Sequence, residues 1–212
     1  MSRQHEPFER NPWVPEPIEA NPAPAAVARP SYVRLGPSEP QGGRGLAPPS
    51  RGGLPLWTPD DLPTAAWWWV GCHGGAGTTT LHQEVVGGAE SGIRGWPCRP
   101  DGGRTNVVLV ARTHARGLTA AQNVARQWAA GYAGSVVLLG LVAVADAPGR
   151  LPKALRDSLR FVAGGVPRLW QVPWVENWRT AEQPRGGPTI RETAKLAADL
   201  TRLAAAKQET RC

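Results

Sequence analysis

Trp67-Trp68-Trp69-Val70-Gly71-Cys72-His73-Gly74-Gly75-Ala76-Gly77-Thr78-Thr79-Thr80-Leu81 decides how this 212-residue chain is read. The stretch begins with large apolar side chains, passes through three glycines in four positions, and runs into residues able to start a helix. It reads as strand, tight loop, helix. Glycines let a backbone come close to an anion. The free N–H groups of such a loop and of the first helical turn point at that anion with the positive end of the macrodipole behind them. Glycine-rich turns also occur simply so that a strand and a helix can pack, and this chain contains 25 glycines.

Downstream, apolar runs alternate with helical spacing. Three consecutive tryptophans in a strand at 65–71 place rings on both of its faces, which suits a strand covered on each side. A short helix over 78–86 stops at Gly87-Gly88. Residues 87–106 read as a polar, glycine-rich connection with little regular structure, residual pairing being confined to about 93–96. Val107-Val108-Leu109-Val110-Ala111 is a buried strand. Leu118, Ala121, Val124 and Trp128 then recur at helical spacing, and Gly131 closes that helix. A second apolar run covers 136–145, followed by a helix from Pro152 with Leu155, Leu159 and Val162 on one face and Gly164-Gly165 at its end. A strand over 168–172 leads to a loop carrying Trp174 and Trp178. Thr189-Ile190-Arg191-Glu192 is a capping box opening a helix to about 206, with Ile190, Ala194, Ala197, Leu200 and Leu203 inward. This alternation predicts an α/β fold, a mostly parallel sheet with helices on both faces.

The loop resembles the deviant Walker A loop of the MinD/ParA class of P-loop ATPases, roughly Gly-Lys-Gly-Gly-x-Gly-Lys-Thr-Thr. Gly74, Gly75, Gly77, Thr79 and Thr80 match it. His73 stands where the signature lysine belongs, and Thr78 where the phosphate-binding lysine belongs. A charged hydrogen bond of the kind that lysine makes contributes about 1.5–3 kcal/mol. Its loss weakens binding, and hurts phosphoryl transfer more, because transfer depends on neutralising transition-state charge. The resemblance implies an abridged P-loop fold, with ATP or GTP and magnesium as cofactor and His73, Gly74, Gly75, Ala76, Gly77, Thr78, Thr79 and Thr80 around the phosphates. The order of elements from Val107 to Trp178 resembles the C-terminal half of the same class. The region 64–180 also looks like an uncharacterised actinobacterial family with this degenerate loop, in keeping with twenty-one arginines against three lysines.

Three segments are expected. Residues 1–63 hold fourteen of the 22 prolines, with Pro15-Glu16-Pro17 and Pro22-Ala23-Pro24 among them, and read as a disordered arm. Trp13, Tyr32 and Trp57 are its candidate anchors for a protein partner, against the plainer reading of a solvated tail. Residues 64–180 form the domain, and 181–212 a linker and an amphipathic helix packed on it. The net charge is +7, yet residues 1–63 carry six basic and seven acidic side chains, leaving +8 on the rest. That balance favours anionic partners, with nucleic acid one candidate. The loop carrying Trp174 and Trp178 is another possible protein contact. Cys72, Cys98 and Cys212 form no paired framework, no apolar run is long enough to span a bilayer, and a cytoplasmic location is expected.

Other chemistry gathers at strand ends. Asp146 follows the apolar run 141–145; it is read as a magnesium holder through water, as a base-contacting residue, or as the start of a turn. Arg112, His114 and Arg116 follow the strand at 107–111 and are candidates to replace the missing lysines. The spacing of Cys72, His73, His82, Cys98 and His114 matches no zinc pattern. The functional expectation is a nucleotide-binding or formerly nucleotide-binding regulatory module without efficient hydrolysis. The alternatives are an active MinD/ParA-like ATPase with charge supplied by other arginines or by a partner, and a basic nucleic-acid-binding accessory protein.

Overall fold

The computed structural model describes residues 31–34, 36–42, 47, 49, 51–59, 65–180 and 191–209. Trp13, the Pro-x-Pro units, Thr189, Ile190 and Cys212 lie outside these residues. In chain order the elements are β1 (Val33–Arg34), β2 (Leu56–Trp57), β3 (Trp67–Gly71), α1 (Thr78–Glu84), β4 (Gly88–Gly92), β5 (Trp96–Pro97), β6 (Thr105–Arg112), α2 (Ala115–Ala129), β7 (Val136–Val144), α3 (Lys153–Ala163), β8 (Arg168–Val172), α4 (Asn177–Thr180) and α5 (Arg191–Glu209).

The main sheet runs β1-β8-β7-β6-β3-β4, parallel throughout except for β1, which joins β8 antiparallel. β6 and β7 are the long central strands, and every residue of β7 is buried. On one face, Trp68, Trp96, Leu109 and Leu141 pack with Leu118, Val124 and Trp128 of α2 and Leu159 and Val162 of α3. On the other, Trp67, Trp69, Val110 and Val142 pack with Leu81 of α1 and Leu196 and Leu200 of α5. The alternation of the tryptophans in β3 thus distributes one ring to the first face and two to the second, as the two-residue period of a strand requires.

The stretch 87–106 departs from its reading as a connection. β4 pairs with β3 along its length and forms the sheet edge, while β5 pairs with β2 in a separate two-stranded ribbon. A Cβ at Gly88 would lie 2.6 Å from the Trp69 indole nitrogen and also meet that of Trp67, so a glycine is required where both rings pass beneath the edge strand. The phase of α5 also differs: Ala194 is exposed, and the inward side chains are Thr193, Leu196, Asp199, Leu200 and Ala204. Two polar residues on the buried stripe hide the true phase from an apolar count.

Two pieces of the Pro-rich segment take part in this fold. Tyr32 packs edge-on against Trp170 at 5.5 Å, with the Arg168 guanidinium 5.3 Å from its ring. The Ser31 N–H and hydroxyl both donate to the Asp199 carboxylate of α5, at 2.8 and 2.6 Å. From β1 the chain passes the ends of α3 and α2, where a Cβ at Gly36 would come within 2.6 Å of the Gly164 carbonyl and Gln41 N–H donates to the Ala129 carbonyl. Further on, Leu54 N–H donates to Gln127 Oε1 at 2.7 Å, and the Trp57 ring meets Trp68 at 5.7 Å. This strap crosses the sheet at the edge where β7 and β8 begin. Among the described residues this strap does not cover the opposite edge, where the strands end.

Candidate functional site

The order of strands selects one place on that edge. From β3 the chain crosses through α1 to β4 on one side, and then returns to β6 on the other side before continuing outward to β7 and β8. Between β3 and β6 the direction of winding reverses, and in open parallel sheets ligands gather in the crevice outside the strand ends at such a reversal. The loop 72–77 and the turn 112–114 meet there.

The loop is built around glycine conformations. Gly75 and Gly77 have φ of +72° and +99°, which strain any side chain, and the space where a Cβ would stand at Gly74 or Gly75 is empty to 4 Å. Gly77 caps α1 without a side-chain acceptor. Among the described residues, the N–H groups of Gly74, Gly75, Gly77, Thr78, Thr79 and Thr80 find no acceptor, whereas Cys72 N–H is tied to the Val110 carbonyl and Ala76 N–H to that of His73. Cys72 is buried, and desolvation pushes its thiol up to about 12, which leaves it protonated and inert.

His73 turns into the fold. Its Nδ1 donates to the Gly74 carbonyl at 2.8 Å and its Nε2 accepts the Arg112 N–H at 3.1 Å, an arrangement that assigns the ring proton to Nδ1. A Cβ at Gly117 would sit 2.9 Å from that Nε2, so the first turn of α2 is glycine where it passes the ring. His114 lies 5.1 Å away, ring to ring, and caps α2 by accepting the Gly117 N–H on Nδ1 at 3.0 Å.

Arg112 is the cation nearest the loop. Its Nη1 donates to the Ala145 carbonyl at 2.9 Å, and its Nε would lie 3.9 Å from a Cβ at Gly77. Burial depresses its pKa, with the Asp146 carboxylate opposing and Arg179 adding to that fall. Arg116, by contrast, is exposed on the first turn of α2. Asp146 is exposed past the end of β7, its N–H received by the Thr113 hydroxyl at 3.2 Å. It borders an open cleft of about 550 Å³ over the ends of β7 and β8, lined also by His114, Arg150, Gln171 and Glu192. The cleft lies beside the glycine loop rather than over it.

Thr79 has a partner that sequence reading missed. Its hydroxyl donates to Glu90 Oε1 of β4 at 2.6 Å. Glu90 lies on β4 and Asp146 just past the end of β7, strands three spacings apart in the order β4-β3-β6-β7, about 14 Å. Among the described residues Glu90 is the carboxylate bonded to Thr79. Nothing in Gly88-Ala89-Glu90-Ser91-Gly92 marks a strand by its apolar pattern, so its acid carried no signal. Among the described residues no three His, Cys, Asp or Glu side chains converge on a common point.

Fold and site together define an α/β protein with a glycine-rich loop at the reversal point of a parallel sheet. Residues 65–196 match the model of a family of unknown function, DUF6668, and the chain belongs to that family. No curated protein and no solved structure matches it. No helix among the described residues is long and apolar enough to cross a membrane.

Proposed function

We propose that the chain is a P-loop-like nucleotide-binding module of regulatory or interaction type, akin to the MinD/ParA class but without efficient hydrolysis. The observation that carries this reading is the position of Arg112: a guanidinium beside Gly77, at the reversal point, where the loop itself has lost its lysine. Unpaired loop N–H groups and open space at Gly74 and Gly75 fit a phosphate chain. Its oxygens would be held by Gly75, Gly77, Thr78, Thr79, Thr80 and Arg112. Thr79 and Glu90 would supply two of the oxygen ligands of a magnesium ion. That ion, when bound, neutralises phosphate charge. Thr78 brings no cation to the transferring phosphoryl group, and Arg112 is engaged with Ala145 and the Asp146 field, so the arrangement favours holding a nucleotide over cleaving it.

Titration calorimetry of the full chain with ATP, GTP and their diphosphates, with and without magnesium, tests this. Binding tighter than about 100 μM, near −5.5 kcal/mol, is expected. Arg112→Ala is expected to weaken it about tenfold, in line with the value of a charged hydrogen bond, and Gly77→Val to abolish it. No heat with any nucleotide overturns the proposal. Binding to nucleic acid instead would show a steep salt dependence and no competition by nucleotide.

The same placement of Arg112 favours a second reading, an active NTPase whose charge has been moved from the loop to β6. Thr78→Lys separates the two. A binding module gains affinity, about tenfold; a rewired enzyme gains none and loses turnover, because two cations then crowd one phosphate.

A further inference from the structure

The outer face of α2 and α3 carries an apolar groove of about 690 Å³ between Pro37, Ala125, Ala129, Val162 and Gly164, and a second recess of about 340 Å³ toward the start of the helices. Phe161 stands between them, 70% exposed. Arg126 and Arg160 line the groove, and the carboxylate that lines the second recess, Asp157, is already paired with Lys153 at 3.0 Å and Arg160 at 3.4 Å; the two helices carry Arg116, Lys153 and Arg156 besides. An exposed aromatic ring in an apolar groove with a basic rim fits a proline-rich acidic segment with an aromatic anchor.

The chain's own N-terminal segment has that chemistry. Residues 6–19 hold Glu6, Glu9, Glu16 and Glu19 against Arg10 alone, with Phe8 and Trp13 among four prolines. Of the three aromatic anchors in the Pro-rich region, Tyr32 seats on Trp170 and Trp57 on Trp68, both within this molecule. Trp13 is the third. The tether suffices: from Ser31 the strap reaches Pro37 at the groove in six residues, while Glu19 lies twelve positions before Ser31, about 40 Å when extended. We infer that residues 6–19 dock in cis along the α2–α3 groove, Trp13 beside Phe161 and the glutamates on the basic rim, covering this face of the molecule with its own arm.

The scarcity of lysine gives a direct test. The chain has only Lys153, Lys195 and Lys207; Lys153 pairs with Asp157, which lines the second recess, and Lys195 belongs to α5. Carbodiimide coupling of the full chain, read by peptide mass spectrometry, is expected to join Glu6, Glu9, Glu16 or Glu19 to Lys153 in preference to the other lysines. An equal mixture of ¹⁵N-labelled and unlabelled chain distinguishes cis from trans. Phe161→Glu, an exposed position that the fold tolerates, and Trp13→Ala are each expected to cut the adduct at least tenfold, as is 0.5 M salt. Mixed-isotope adducts would overturn the inference in favour of a second copy. Coupling spread evenly over the lysines, or no adduct, would leave the groove to another partner and equally overturn it.

Discussion

Trp96→Ala is expected to cost about 4 kcal/mol, since truncating a buried tryptophan removes both its transfer free energy and its packing. Trp96 is fully buried among Trp68, Leu109 and Trp128, where no neighbour can close the space. Its indole N–H donates to Gln127 Oε1 at 3.0 Å. That amide also accepts from Leu54 N–H and donates to the Leu54 carbonyl, joining α2 to the strap. Against a total stability of about 5–15 kcal/mol for a domain, the change is severe. Trp96→Phe, which keeps most of the apolar volume but leaves Gln127 one donor short, should lose about 1–2 kcal/mol. Guanidinium unfolding of the three chains checks both values. A loss below about 2 kcal/mol for the alanine variant would mean that the ribbon β2–β5 is peripheral to the fold.

Asp199→Ala should follow at about 3 kcal/mol. The carboxylate is 4% exposed and accepts from Ser31 N–H, the Ser31 hydroxyl, the Trp170 indole and the Arg202 guanidinium. Its removal leaves the Trp170 N–H buried without an acceptor, a cost of about 1–3 kcal/mol, and frees Ser31 to exchange its bonds for water. The loss should be local as well as global. Amide exchange at Val33 and Arg34 should quicken more than at β6 or β7, because β1 has two register pairs and Ser31 beside it is held by this carboxylate. Uniform acceleration across the sheet would show instead that Asp199 serves the helix and not the strap.

The central elements were readable because burial on two faces leaves an unbroken apolar run. Val107 to Ala111 and Val136 to Val144 are such runs, and α2 and α3 declare themselves through Leu118, Val124, Trp128 and Leu159, Val162. What escaped the sequence has physical reasons of its own. β4 is a strand by backbone pairing alone, its glycines selected by the indoles beneath them, so neither its pattern nor Glu90 stood out. β1 and β2 are two residues each, below any period. The inward face of α5 includes a carboxylate whose acceptors are filled from 168 residues away, a pairing that no local window contains. At the site, the glycine loop at a strand end was legible. Which of the downstream arginines stands near it was not, since that depends on Arg112 ending β6 beside Gly77 while Arg116 is exposed on α2.

The strap has a mechanical consequence. Once residues 6–19 have been drawn off the α2–α3 groove, tension applied through the residues before Ser31 meets the Asp199 contacts, then the two-residue ladder of β1, then the carbonyl contact at Ala129, then Gln127. These attachments yield one after another, by peeling, whereas the parallel ladders of β6, β7 and β8 resist together. An unfolding machine that grips the N-terminus would therefore strip this chain in small steps at low force, and stall when it reaches β3.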